Sequence, residues 1–110
     1  MFRDFEKEAI RLMIGRAIAR ETLERVLSVN DVAFEPTGYG YYITVADPGL
    51  AEGRSVFDSP LIKGTGNGVE VGFVVFIENK ELTFECHGWG DPVPENFRQG
   101  KVVISVEGEG

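Results

Sequence analysis

One stretch in the second half of the chain constrains the fold more than any other. Residues 69–78 are rich in β-branched and aromatic side chains, and residues 81–87 alternate between apolar and polar side chains. Two such segments separated by a short polar turn are typical of a β-hairpin. The stretch therefore predicts an antiparallel pair of strands at the centre of the molecule.

The register of this hairpin decides which side chains share a face. A turn centred on Asn79 and Lys80 makes one face wholly apolar. Its seven members are Val71, Phe73, Val75, Ile77, Leu82, Phe84 and Cys86. A slip of one residue would scatter them over both faces, which favours this register. The second face is mixed, and its apolar residues Val74 and Phe76 need some cover.

Residues 3–28 have the period of a helix. Apolar side chains recur at helical spacing on one stripe, which we expect to face the sheet: Phe5, Ala9, Leu12, Met13, Leu23 and Leu27. Ile10, Ile14 and Ile18 fall on a second face of the same stretch. Gly15 interrupts the pattern, which predicts either two short helices or one helix kinked there, with Gly15 as a candidate left-handed cap.

The remaining strands complete the fold class. Residues 32–35 and 39–45 predict two strands joined by a turn, and residues 102–106 predict a final strand followed by an acidic tail. Because the helical elements precede the strands, we expect a single α+β domain over residues 1–110. Its N-terminal helices should pack on an antiparallel sheet of four to five strands.

Residues 46–68 form a long connection rich in glycine and proline. Residues 64–68 precede a strand and lack the Lys-Ser/Thr of a phosphate-binding loop, so they indicate a flexible loop. Its apolar anchors are Val56, Phe57, Leu61 and Ile62, and part of the connection should pack down or form a short strand. We expect it to cover the second face of the hairpin, or to leave that face open if it is mobile.

Charge and cysteine content restrict the partners and the compartment. The formal net charge of −7 disfavours nucleic acid and anionic membranes as partners, and it is compatible with a basic protein partner. The single cysteine, Cys86, has no partner for an internal disulfide. Residues 1–8 interleave charges where a signal peptide would be apolar, and no apolar run has the length of a membrane span. These observations predict a cytoplasmic protein.

Catalytic or metal chemistry would have to involve His87, the only histidine. With Glu85 on the same face, it could act as a general base, or it could bind a metal together with Glu85, Asp91 or Glu35. A metal site normally has three or four ligands, so we predict no metal and no cofactor. Alternation along the strand points Cys86 away from His87, which excludes a catalytic dyad. The simplest interpretation is a half-exposed histidine at a strand end.

Aromatic side chains supply the other candidate binding residues. Tyr and Trp are enriched at binding hot spots because they combine a large apolar area with a polar group. Together with the polar pair, the candidates for ligand or partner binding are Tyr39, Tyr41, Glu85, His87 and Trp89.

Two segments resemble a group of small bacterial proteins. The first is Glu35-Pro36-Thr37-Gly38-Tyr39-Gly40-Tyr41, which matches an E-x-T-G-x-G-aromatic strand. The second is the Gly72-Phe73-Val74-Val75-Phe76 start of the hairpin, which resembles a G-F-hydrophobic-F pattern with two valines between the phenylalanines. The resemblance implies an N-terminal helical region, this sheet architecture and a bacterial origin, and it implies no activity.

Two functions follow as hypotheses. The first is a non-enzymatic, immunity- or inhibitor-like domain that binds a basic protein. The alternative is a small-ligand-binding domain or minor enzyme with a pocket near His87, lined also by Glu85, Trp89 and Tyr41 and closed by residues 46–68. A homodimer that buries Val74 and Phe76 is expected if residues 46–68 leave these side chains uncovered.

Overall fold

Two helices precede an antiparallel sheet of seven strands in the computed structural model, which describes residues 1–107. The elements are α1 (Asp4–Ile14), α2 (Arg20–Leu27), β1 (Ala33–Pro36), β2 (Gly40–Ala46), β3 (Ser55–Phe57), β4 (Ile62–Gly66), β5 (Val69–Glu78), β6 (Glu81–Gly88), a 3-10 turn (Phe97–Gln99) and β7 (Val103–Val106). The strand order is β1-β2-β6-β5-β4-β7, and β3 pairs with the end of β5. The α+β class is confirmed. The end of the predicted acidic tail, residues 108–110, lies outside the described residues.

The β5–β6 hairpin has the predicted register. Ile77 lies opposite Leu82 and Phe73 lies opposite Cys86. Asn79 and Lys80 both have positive φ, 55° and 60°, as a two-residue type I′ turn requires. All seven side chains of the predicted apolar face are at most 2% exposed. They form the floor of the hydrophobic core.

The helical region forms two separate helices, the first of the two alternatives. The predicted stripe is wrong at Leu12, which is 44% exposed, whereas Ile10 and Ile14 are fully buried. The face of α1 that packs on the sheet is therefore rotated from the predicted stripe toward these isoleucines. Gly15 is not a left-handed cap, since its φ is −57° and its N–H continues the helical bonding to the Arg11 carbonyl.

The long connection accounts for the two strands beyond the predicted number. Strands β3 and β4 both pair with β5. The prediction of a flexible loop at residues 64–68 is wrong. Gly64 lies in β4, where a Cβ would come within 2.8 Å of the Phe73 ring, and Asn67-Gly68 form a tight turn with positive φ at both residues. These glycines serve close packing and a turn.

The sheet has one covered and one open face. The helices cover the face that carries the core, and no helix or strand of residues 1–107 packs over the other. This second side, here called the open face, carries Glu35, Tyr42, Thr44, Lys63, Glu70, Val74, Phe76, Glu78, Glu81, Thr83, Glu85 and His87. Residues 46–68 do not form the expected cover, because Leu50 enters the core and Asp47 bonds to Arg25 of α2. Of this segment, the Arg54 side chain lies over the Phe76 ring. Neither helix of residues 1–107 has the length and apolarity needed to cross a membrane.

The Asp47–Arg25 contact gives a pH-dependent prediction. Asp47 accepts hydrogen bonds from Arg25 Nε (3.0 Å) and Nη2 (2.9 Å) and from the Gly49 N–H (2.8 Å), which lower the pKa of its carboxyl. A carboxyl whose pKa is lower in the folded state stabilises the fold above its unfolded pKa of about 3.9, and this contribution disappears as the pH falls through the folded value. Asp47→Asn should cost about 1 kcal/mol at pH 7.

Urea unfolding of both proteins at several pH values checks this prediction. The difference in stability between wild type and Asp47→Asn should be full above about pH 5 and should shrink toward pH 3. Asp31→Asn, at an exposed position, is the matched control. A gap between wild type and Asp47→Asn that stays constant with pH would refute the proposed linkage.

Candidate functional site

The structure separates the candidate binding residues onto different sides of the sheet. Glu85, His87 and Trp89 lie at the open face, while Tyr41 is buried on the covered face. Tyr39 is 67% exposed in the turn between β1 and β2. The predicted pocket is therefore wrong in its lining, because Tyr41 and His87 cannot contact the same small ligand through opposite faces of one sheet.

His87 and Trp89 lie side by side over the backbone of Gly72. A Cβ at Gly72 would come within 2.6 Å of Trp89 Nε1 and 2.8 Å of His87 Nε2, so only glycine leaves room for both rings. Across the strands, Tyr42 lies opposite Glu85, whose negative charge raises the pKa of the Tyr42 hydroxyl. This end of the open face thus combines aromatic surface with hydrogen-bonding groups.

The open face is predominantly acidic. Its glutamates are Glu35, Glu70, Glu78, Glu81 and Glu85. Lys63 Nζ lies 3.1 Å from Glu70, and Arg54 Nη1 lies 3.3 Å from Glu78. The Arg54 guanidinium also covers the Phe76 ring at 5.6 Å from its centroid. Because these two cations are already paired with carboxylates, the face keeps an excess of negative charge.

The sequence distributes its charge in the same way. Residues 1–30, which contain both helices, hold six of the 11 basic residues and only five of the 18 acidic residues. This leaves a formal charge of +1 on residues 1–30 and −8 on residues 31–110. The acidity of the protein is therefore concentrated in the part of the chain that builds the sheet.

Cys86 is a core residue, as its position in the hairpin predicts. Its thiol is buried, and burial raises its pKa to about 12. A thiol with this pKa is protonated at neutral pH and is a poor nucleophile. Within residues 1–107, no group of three or more His, Cys, Asp or Glu side chains is arranged to hold a metal ion.

A second region, which sequence reasoning missed, is a cavity of about 340 Å³ on the covered side of the β1–β2 hairpin. It lies between this hairpin and the segment that leads into the 3-10 turn. Its walls are apolar and aromatic side chains together with glycine backbone and two charged groups: Phe34, Pro36, Gly38, Gly40, Tyr41, Val93, Pro94, Glu95, Phe97 and Arg98.

Arg98, one of the lining residues, forms an ion pair with the buried carboxylate of Glu6. Glu6 is fully buried and accepts hydrogen bonds from Arg98 Nε (2.8 Å) and Nη2 (2.9 Å), from the Tyr41 hydroxyl (2.5 Å) and from the Arg3 N–H (2.7 Å). Burial raises the pKa of Tyr41 far above its usual value, so its hydroxyl stays a donor. The Arg98 guanidinium covers the Phe34 ring at 4.9 Å. The network ties α1 to the 3-10 turn.

One signal in the sequence marks this network. Glu6 lies four positions after Phe2 and four before Ile10, so a carboxylate interrupts the apolar stripe of α1. A buried carboxylate needs a cationic or hydrogen-bonding partner. The partner, Arg98, is 92 positions away, and no local pattern identifies it among 11 basic residues.

Comparison with known protein families, curated proteins and solved structures found no match. The likeness to the group of small bacterial proteins with the E-x-T-G-x-G-aromatic strand therefore stays a prediction. The assignment of function depends on the geometry of the open face and of the cavity.

Proposed function

We propose that this chain is a non-enzymatic, immunity- or inhibitor-like protein-binding domain whose open face binds a basic partner protein. The observation that carries the proposal is a sheet face that no helix or strand of residues 1–107 covers, with Phe76, Tyr42 and Trp89 on it. Lys63 and Arg54 pair with Glu70 and Glu78, which leaves Glu81 and Glu85 without a salt bridge within residues 1–107. Large aromatic side chains at a partly exposed centre supply binding energy, and surrounding charges select the partner and speed association.

The size of the open face fits a protein interface. Six strands spaced by about 4.8 Å, with about six residues each at roughly 3.4 Å per residue, span roughly 600 Å². A standard protein–protein interface buries about 800 Å² on each partner. The open face with its rim therefore has the area for one specific partner.

The charge of the face distinguishes a basic partner from a second copy of this chain. A twofold dimer through the open face would bring Glu78, Glu81 and Glu85 of one protomer toward the same surface of the other. Like charges facing each other oppose association. The homodimer is the second occupant that this face could accept, since Val74 and Phe76 would be buried in it as well. A basic protein can bury the apolar side chains and also pair its cations with the glutamates.

The cytoplasm is the compartment that we propose for this interaction. Cys86 is a free thiol in the core, and the fold contains no disulfide among residues 1–107. A reducing compartment is compatible with such a thiol.

The proposal predicts that two kinds of substitution weaken partner binding differently. Phe76→Ala should raise the dissociation constant for the partner by about tenfold or more through faster dissociation, because it removes the aromatic centre. The triple variant Glu70→Gln, Glu81→Gln and Glu85→Gln should slow association and reduce its salt dependence. Binding kinetics measured against the product of a neighbouring gene, or against a protein captured from the host and identified, provide the test.

Phe34→Ala, which changes the covered side of the sheet, is the matched control and should leave the kinetics unchanged. A captured protein that is acidic, or one whose binding is insensitive to both open-face variants, would contradict the proposal. Light scattering at micromolar concentration gives the molecular mass in solution and so tests for the homodimer. A dimer mass that Phe76→Asp converts to a monomer mass would assign the open face to self-association.

A further inference from the structure

We infer that the cavity beside Tyr41 and Arg98 binds a small, neutral, planar aromatic molecule that carries a carbonyl-type hydrogen-bond acceptor. This site lies on the side of the β1–β2 hairpin opposite the open face, so it is independent of the partner-binding surface. The inference depends on the size of the cavity, on its walls and on the Arg98 guanidinium, which lines it.

The size and walls fit a small ring. A volume of about 340 Å³ falls at the lower end of the range of small-molecule sites, which begins near 300 Å³. Phe34 and Phe97 contribute ring surfaces, and Pro36, Pro94 and Val93 contribute flat aliphatic surface. Planar rings pack favourably against such walls.

Arg98 supplies the donor. Its Nε and Nη2 bond to Glu6, and Nη2 also bonds to the Met1 carbonyl at 2.9 Å. Its Nη1 has no acceptor among residues 1–107. Arg98 lines the cavity, so Nη1 can donate to a carbonyl oxygen of a ligand.

The charges of the cavity favour a neutral ligand. The Arg98 charge is balanced by Glu6, and Glu95 adds a second carboxylate to the lining, so an anion would meet an excess of negative charge. A cation would meet the positive charge of the guanidinium, which already lies over one face of the Phe34 and Tyr41 rings. A carbonyl compound accepts from Nη1 without burying a new charge.

Three probes that share one ring and differ in charge test the inference. Benzamide, benzoate and benzylamine are titrated into the ¹⁵N-labelled full chain, and amide shifts are followed by NMR. Benzamide should shift amides in residues 34–41 and 93–98. Its dissociation constant should be about fivefold lower than those of the two charged probes, the size of effect expected for a charge at a half-exposed site.

Two variants tie the binding to this cavity. Val93→Trp should fill the space and abolish the benzamide shifts, and Phe34→Ala should weaken them by removing one wall. Phe76→Ala, a phenylalanine on the other face of the same sheet, should leave them unchanged. Phe34→Ala decides the outcome if Val93→Trp does not fold. Equal or tighter binding of benzoate or benzylamine, the absence of benzamide shifts, or shifts that Phe34→Ala leaves intact would overturn the inference.

Discussion

Arg98→Met is expected to destabilise the fold by about 3–5 kcal/mol, because it leaves a buried carboxylate without its cationic partner. Glu6 is fully buried, and Arg98 supplies two of its hydrogen bonds. The guanidinium also bonds to the Met1 carbonyl and covers Phe34, so its loss loosens both the N-terminus and the β1–β2 hairpin. Urea unfolding followed by far-UV circular dichroism measures the loss.

The double variant Glu6→Leu with Arg98→Met tests whether the loss of stability comes from the unpaired Glu6 charge. Because an apolar pair of similar volume removes the unpaired charge, the double variant should regain at least about 2 kcal/mol relative to Arg98→Met. Arg11→Met, which breaks an exposed pair with Glu24 at 3.3 Å, should cost at most about 0.5 kcal/mol. The account fails if Arg98→Met is as mild as Arg11→Met, or if the double variant is no more stable than Arg98→Met.

The features predicted correctly from the sequence have short-range causes. Alternation over residues 69–87 sets the register of the central hairpin, since a shift of one residue would expose Phe73 and Phe84. The Asn79-Lys80 turn follows from the same pattern. The apolar period of α1 and the break after it indicate two helices. Each of these inferences requires knowledge of fewer than about 20 neighbouring residues, which is the range over which periodicity operates.

The features predicted wrongly depend on neighbours distant in the chain. Gly64 belongs to a strand because the Phe73 ring occupies the space of its side chain, and composition alone indicates a flexible loop. Leu12 is exposed because the packing of α1 on the sheet selects one of two apolar stripes. The cavity beside Arg98, which sequence reasoning missed, depends on distant neighbours too, because it forms only when β1, β2 and the segment before the 3-10 turn come together.

The sequence predicted only part of the candidate site correctly, again because local patterns cover short distances along the chain. Glu85 and His87 share a face because they are two positions apart on one strand, and the structure places them together. Tyr41 is separated from them by the pleat, since it lies opposite Cys86 and shares the covered face with it. Tyr39 is exposed because it lies in the turn that joins β1 to β2. The aromatic character of this residue does not by itself predict whether its side chain is exposed or buried.

The second large effect is expected from Phe84→Ala, which should cost about 3–5 kcal/mol by opening a cavity in the core. Phe84 is fully buried and stacks on Phe73 with ring centroids 5.3 Å apart. It also makes an edge-to-face contact with Phe2 at 6.3 Å, so the substitution weakens the attachment of the N-terminal segment to the sheet. Far-UV circular dichroism in urea gives the free energy of unfolding.

Phe76→Ala is the matched substitution on the opposite face of the same sheet. Phe76 is half-buried, with Arg54 over its ring as its cationic contact, so its replacement should cost about 1 kcal/mol or less. The two phenylalanines thus separate stability from binding: Phe84 maintains the core, and Phe76 is available to a partner. Equal destabilisation by the two substitutions would mean that the open face is structural, and it would remove the observation on which partner binding depends.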